Sequence, residues 1–95
     1  MKVLLRTSKF KRAFKHYIGQ HLKSLEIILA VLDKLAQNPF EPSLETHKLK
    51  GEFLGDWACS AGYDLRITFT FVESQTPKAE DDILLLNIGT HDEVY

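Results

Sequence analysis

The second half of this chain carries four side chains suited to moving protons and steadying negative charge: His47, Asp64, Arg66 and His91. Asp64 and Arg66 stand two residues apart in the stretch YDLRITFTFVE, so an extended backbone puts both on one side, about 7 Å apart. His47 precedes that region with Lys48 and Lys50 beside it, and His91 follows the apolar run ILLLNIG. An acid, a cation and two imidazoles can thus converge on one edge of a sheet, a set able to act as general acid and base around a stabilised anion. A metal site is not expected, because the chain has no His-Glu-x-x-His spacing and its one cysteine, Cys59, falls on the inward side of its strand. Nothing nearby marks Cys59 as an activated nucleophile.

Each of these residues also has a plainer reading. His47 can be an ordinary loop residue, and Asp64 with Arg66 an exposed ion pair worth under about 1 kcal/mol. Trp57 reads as core, and His91 can do no more than hydrogen-bond the chain end. Spacing alone leaves these alternatives open.

The elements that must position the set are short. KVLLR reads as a first strand. Ser8 is placed to cap a helix whose apolar positions Phe10, Ala13, Phe14, Tyr17 and Ile18 share one face, with Gly19 ending or kinking it. A second helix carries Leu22, Leu25, Ile28, Leu29, Leu32 and Leu35 at the same period and stops at Asn38-Pro39. So short a joint makes the two a hairpin. FEPSLET is a proline-bearing connector. The period then changes to two: Phe53, Trp57 and Cys59 alternate with Leu54, Asp56, Ala58 and Ser60. Leu65, Ile67, Phe69 and Phe71 face inward, with Asp64, Arg66, Thr68 and Thr70 on the open side. Gly62-Tyr63 is the expected turn, SQTPKAEDD a polar loop, and ILLLNIG a centrally buried strand. The order β-α-α-β-β-β predicts an α+β fold, a helical hairpin packed on a mostly antiparallel sheet.

A chain of 95 residues, 44% hydrophobic and 26% charged, fits a single domain over 1–95, since domains run from about 50 to 250 residues. No segment has the apolar core of a signal peptide or the length of a membrane span. One cysteine excludes an internal disulfide and suits a reducing cytoplasm. The net charge of −1 hides an asymmetry: all 13 acidic residues lie beyond residue 24, whereas residues 1–24 carry Lys2, Arg6, Lys9, Lys11, Arg12, Lys15 and Lys23. That is either a solvated helix face or a local positive field that nucleic acid would meet.

HKLKGEFLGDWACSAGYDLRITFTF followed by LLLNIGTHDEVY resembles the RelE superfamily of type II toxin–antitoxin systems, in particular its YafQ branch. The likeness lies in His-x-Leu-x-Gly at His47, a glycine nine residues before Asp64, and Gly-Thr-His-x-x-x-aromatic at the end. It covers roughly residues 44–95 at motif level, and the preceding β-α-α order agrees with a RelE-like fold. The resemblance implies a metal-independent endoribonuclease, without cofactor, that cuts mRNA, typically on the ribosome. It further implies a cytoplasmic toxin with no membrane partner, silenced in a hetero-oligomer by a cognate antitoxin protein encoded beside it.

By position, the family's catalytic histidine falls on His47, its aspartate on Asp64, its last histidine on His91 and its terminal aromatic on Tyr95. Two positions depart from the YafQ pattern: Ser60 stands where a second histidine is usual, and Asn87 where an arginine is. Arg66 lies on the strand that carries the phosphate-binding arginine of RelE-type members and can replace the missing cation. The implied roles are Asp64 or His47 as base, His91 as acid, Arg66 on the phosphate and Tyr95 as a stacking surface. Lys48, Lys50, Ser60 and Asn87 become substrate contacts, and Lys9, Lys11, Arg12 and Lys15 ribosome contacts. Two other functions fit this scaffold: a ParE-like toxin that binds DNA gyrase without catalysis, and a degenerate member kept only for antitoxin binding. The Gly-Thr-His ending speaks against the first, whereas Ser60 and Asn87 keep the second open.

Overall fold

The structure, a computed structural model, describes residues 1–74, 77 and 80–95. Within the expected polar loop 74–82, Gln75, Thr76, Lys78 and Ala79 lie outside the described residues. Strand β1 (Leu4–Arg6) leads into helix α1 (Ser8–Gln20), then α2 (Leu25–Gln37). Strands β2 (His47–Lys48), β3 (Trp57–Ser60), β4 (Leu65–Val72) and β5 (Asp82–Thr90) follow, and a one-turn helix α3 (His91–Val94) closes the order. The sheet order is β1-β5-β4-β3-β2, with β1 parallel to β5 and the other pairs antiparallel. The α+β architecture is the one expected, with a two-residue strand and a terminal helix added. No helix is long and apolar enough to cross a membrane among the described residues.

Helix α1 is capped one residue earlier than Ser8. Thr7 is extended, and its hydroxyl accepts from Phe10 N–H at 3.0 Å while donating to Leu85 O at 2.9 Å. The same hydroxyl therefore starts α1 and ties it to β5. Gly19 does not end the helix, which runs to Gln20. The helix ends only at its C-cap His21, whose backbone N–H reaches Tyr17 O and Ile18 O. Leu22–Ser24 forms a 3-10 turn rather than the start of α2, which leaves Leu22 exposed. In α2 the inward stripe is Ile28, Leu32 and Leu35 with Val31, whereas Leu29 is 52% exposed. One step along a helix turns a side chain about 100° away, so Leu29 falls off the stripe that Ile28 sets.

Phe10 from α1, Ile28 and Leu35 from α2, and Cys59, Ile67, Phe69, Ile83, Leu85 and Ile88 from the sheet form one buried cluster. Burial pushes the Cys59 thiol up to about 12, so at neutral pH it stays protonated and serves as packing rather than as a nucleophile. Trp57, half-buried, packs edge-on against Phe40 and Phe71.

Two departures from simple alternation matter for the site. First, the β4–β5 register jumps between Thr68↔Asn87 and Phe69↔Leu85, leaving Leu86 as an extra residue. This bulge shifts the inward phase of β5 from Ile83 and Leu85 to Ile88, and so turns Asn87 away from the core. Second, the face expected to be open is partly covered. Thr68 is only 5% exposed, and it lines a cavity of about 250 Å³ with Val94 of α3, Phe53 and Asn87. Thr70 donates to Gly55 O, in the segment after the 3-10 turn Gly51–Phe53. Strand β3 accordingly starts at Trp57, and Phe53 and Leu54 belong to that preceding turn instead of to an alternating strand.

The pairing of β5 with β1 ends at Leu85. Asn87 Oδ1 accepts from Ile88 N–H at 2.9 Å, and Glu93 Oε1 accepts from Thr90 N–H at 2.8 Å.

Candidate active site

Helix α3 begins where β5 stops. Thr90 is its extended N-cap and Glu93 its third residue, a capping box that fixes where the chain leaves the sheet. His91 is the first helical residue and Tyr95 lies one turn on. Their rings meet edge to face, with centroids 4.4 Å apart and planes at 85°. The Tyr95 hydroxyl in turn lies 3.5 Å from His47 Nε2. Two histidines 44 positions apart are thus bridged by one phenol.

His47 owes its place to β2. It pairs with Ala58 of β3, and its Nδ1 lies 3.1 Å from Glu45 O. A carbonyl can only accept, so in neutral His47 the proton sits on Nδ1 and Nε2 carries the lone pair toward Tyr95. Glu45 itself holds a left-handed φ of 51°, which bends the chain so that its carbonyl meets the ring two residues on. The Tyr95 phenol is half-buried and is pushed up by desolvation, partly offset by the Arg66 charge. It therefore remains a hydroxyl at neutral pH, able to donate.

Arg66 lies in the row Ser60–Arg66–Gly89 across β3, β4 and β5. Its guanidinium is not free-standing: Nη1 donates to Leu65 O at 3.0 Å and lies 3.5 Å from Gly62 O, and Ser60 Oγ donates to the same Gly62 carbonyl. Two carbonyls thus aim the cation. Truncating Arg66 is expected to cost about 1 kcal/mol of stability, the usual worth of such bonds, more than an ordinary surface change. Melting curves of Arg66→Ala and of Arg66→Lys, which keeps the charge without the planar fork, check this against the parent chain.

The structure brings His47, Arg66, His91 and Tyr95 together and leaves Asp64 at their margin. Asp64 does not share a strand with Arg66, because β4 starts only at Leu65; it sits in the exposed bend at 62–64. The register Leu65↔Thr90 puts it at the sheet end where His91 begins, yet it has no hydrogen bond or ion pair with the other four among the described residues. It lines instead a groove of about 780 Å³ with His16, Tyr17, His21, Asn87 and Glu93.

Lys48 faces away from His47, as neighbouring residues of a strand must, and its ammonium lies 5.5 Å over the Trp57 ring. Lys50 is exposed at the start of the next turn. Asn87 spends its amide oxygen on Ile88 N–H, so it offers the NH₂ group to a ligand. Lys9, Lys11, Arg12 and Lys15 are exposed along α1, and Lys9 reaches the small cavity beside Asn87 and Val94. Glu93 was not singled out from the sequence, although Thr-x-x-Glu is a legible capping signal. Among the described residues, no group of three or more His, Cys, Asp or Glu side chains could hold a metal ion.

No family model matches the chain, and no curated protein matches it. Solved structures do. A YoeB/ParE toxin from Agrobacterium tumefaciens superposes with a TM-score of 0.75 at 19% identity, covering 96% of this chain and 99% of that one. YafQ from E. coli strain BL21(DE3) gives 0.75 at 14%, covering 100% and 99%. A chain of the E. coli DinJ-YafQ toxin-antitoxin complex gives 0.70 at 15%, covering 99% and 97%. At these identities the likeness is one of fold, and it runs the length of the molecule.

Proposed function

We propose that this chain is a RelE-superfamily toxin of the YafQ type, an endoribonuclease that cuts mRNA and is neutralised by a cognate antitoxin. The observation that carries the reading is the linked row His47–Tyr95–His91 beside the Arg66 guanidinium. The full-length likeness of fold to toxin structures, one of them within a toxin-antitoxin complex, supports it.

RNA carries its own nucleophile, the 2′-hydroxyl, so the protein must supply a base, an acid and positive charge. His47 Nε2, left bare by the Glu45 carbonyl, takes the 2′-hydroxyl proton. O2′ then attacks the adjacent phosphorus, and the bond to the 5′-oxygen breaks. His91, in its protonated form, returns a proton to that leaving oxygen, giving a 2′,3′-cyclic phosphate and a 5′-hydroxyl. Arg66 stabilises the negative charge that gathers on the phosphate oxygens. Tyr95 holds a base or donates to the same oxygens, and Asp64, at the margin, is the alternative to His47 as base. The basic face of α1 fits ribosomal RNA, whose phosphates reward clustered lysines, and the reaction belongs to the cytoplasm where ribosomes translate.

Induction in cells, alone and beside the neighbouring open reading frame, tests the reading. Shortened mRNAs on induction, with rescue and co-purification when the neighbour is co-expressed, are expected. DNA breaks with intact mRNA would overturn it in favour of gyrase poisoning, and neither effect would leave a non-catalytic member.

A further inference from the structure

A helix of four residues cannot hold itself in place. Forming a first turn fixes several dihedrals for one hydrogen bond, and α3 is a single turn, its last bond running from Tyr95 N–H to His91 O at 3.2 Å. Val94, 4% exposed, anchors the turn to the sheet. One anchor still leaves the turn free to swing about it, and a swing would separate His91 and Tyr95 from His47.

The second anchor lies at Glu93. Its carboxylate accepts from Thr90 N–H at 2.8 Å, and the side chain rests on the bare Cα of Gly89. A Cβ on Gly89 would stand 3.0 Å from Glu93 Oε1 and 3.1 Å from Glu93 Cβ, so tight that the Glu93 side chain would have to give by a few tenths of an ångström. Gly89 is not among the residues with positive φ, so its backbone does not itself demand glycine. The missing side chain serves the approach of Glu93. Thr90 holds the Glu93 carboxyl below the usual carboxylate range, His16 and His21 adding to the effect, so the acceptor is charged at neutral pH.

We infer that Glu93 is a positioning residue, its carboxylate seated on Gly89 and bonded to Thr90 to set the orientation of α3 and hence the places of His91 and Tyr95. Two residues from His91 and from Tyr95 along the helix, Glu93 points away from both rings and has no part in proton transfer. Its consequence for turnover rests on the ribonuclease reading; its consequence for geometry does not.

The test uses the full chain and three variants, Glu93→Ala, Glu93→Gln and Gly89→Ala. The ring-proton shifts of His91 report the Tyr95 ring current, and the methyl shifts of Ile28, Ile67 and Ile83 report the core. In Glu93→Ala and Gly89→Ala the His91 shifts should collapse toward those of a free imidazole while the core methyls stay in place. Glu93→Gln, which keeps an oxygen acceptor, should restore most of the shift. On programmed ribosomes, Glu93→Ala should lower kcat on the order of a hundredfold, as about 1 Å of misplacement can, with half-saturation unchanged and Glu93→Gln recovering much of the loss. Unaltered His91 shifts in Glu93→Ala and Gly89→Ala would overturn the inference. A wild-type chain that cuts no RNA would overturn the ribonuclease reading instead, and the shifts would still decide the role of Glu93.

Discussion

On the ribonuclease reading, His91→Ala should slow mRNA cleavage about 100- to 10,000-fold while leaving the fold intact. A positioned general acid contributes that order, equivalent to about 3–5 kcal/mol of barrier. The side chain is 60% exposed and among the described residues its ring meets Tyr95 and, loosely, Asp92, so its loss should move stability by no more than roughly 0.5 kcal/mol. Growth arrest should be relieved and antitoxin binding kept. Single-turnover cleavage on programmed ribosomes beside a melting curve checks both halves. Wild-type rates from a well-folded variant would reduce this histidine to a cap.

Removing Val94 and Tyr95 should do more damage, and to folding as well as to catalysis. Val94 is buried on the sheet, a contribution of about 1.5–3 kcal/mol for such a side chain, and Tyr95 joins the two histidines. The double deletion should lower Tm on the order of 10 °C and slow cleavage at least as much as His91→Ala does. Tyr95→Phe separates the contributions: it keeps the ring against His91 and removes only the hydroxyl at His47. It should melt like the parent chain and lose turnover modestly. A truncated chain with the parent's Tm would mean that α3 does not dock in solution.

Much of this architecture was legible in the sequence because it rests on long periodic signals. The 3-and-4 spacing from Phe10 to Ile18 and the alternation from Leu65 to Phe71 each repeat often enough to outweigh one odd residue. What was not legible depends on single residues and on partners distant in the chain. Thr7 displaces Ser8 as cap because its hydroxyl also finds Leu85 O, 78 residues away. The bulge at Leu86 shows in pairing rather than in composition, and it decides which way Asn87 turns. His47 and His91 were readable as a pair, and so was Arg66 beside them. The margin position of Asp64 was not, since it follows from where β4 begins. Lys48 could have been set apart by alternation, had two residues been enough to announce a strand.

The side chains of Asn87 and Glu93 on the outer edge of β5 have a consequence for colloidal behaviour. A strand edge with unsatisfied N–H groups is a template on which another chain can add a strand, and such growth leads to aggregates. Here the Ile88 and Thr90 donors are already occupied from within, just where β1 no longer shields the edge. These two donors are therefore closed to strand addition from another chain, and the Glu93 carboxylate that meets Thr90 closes one of them.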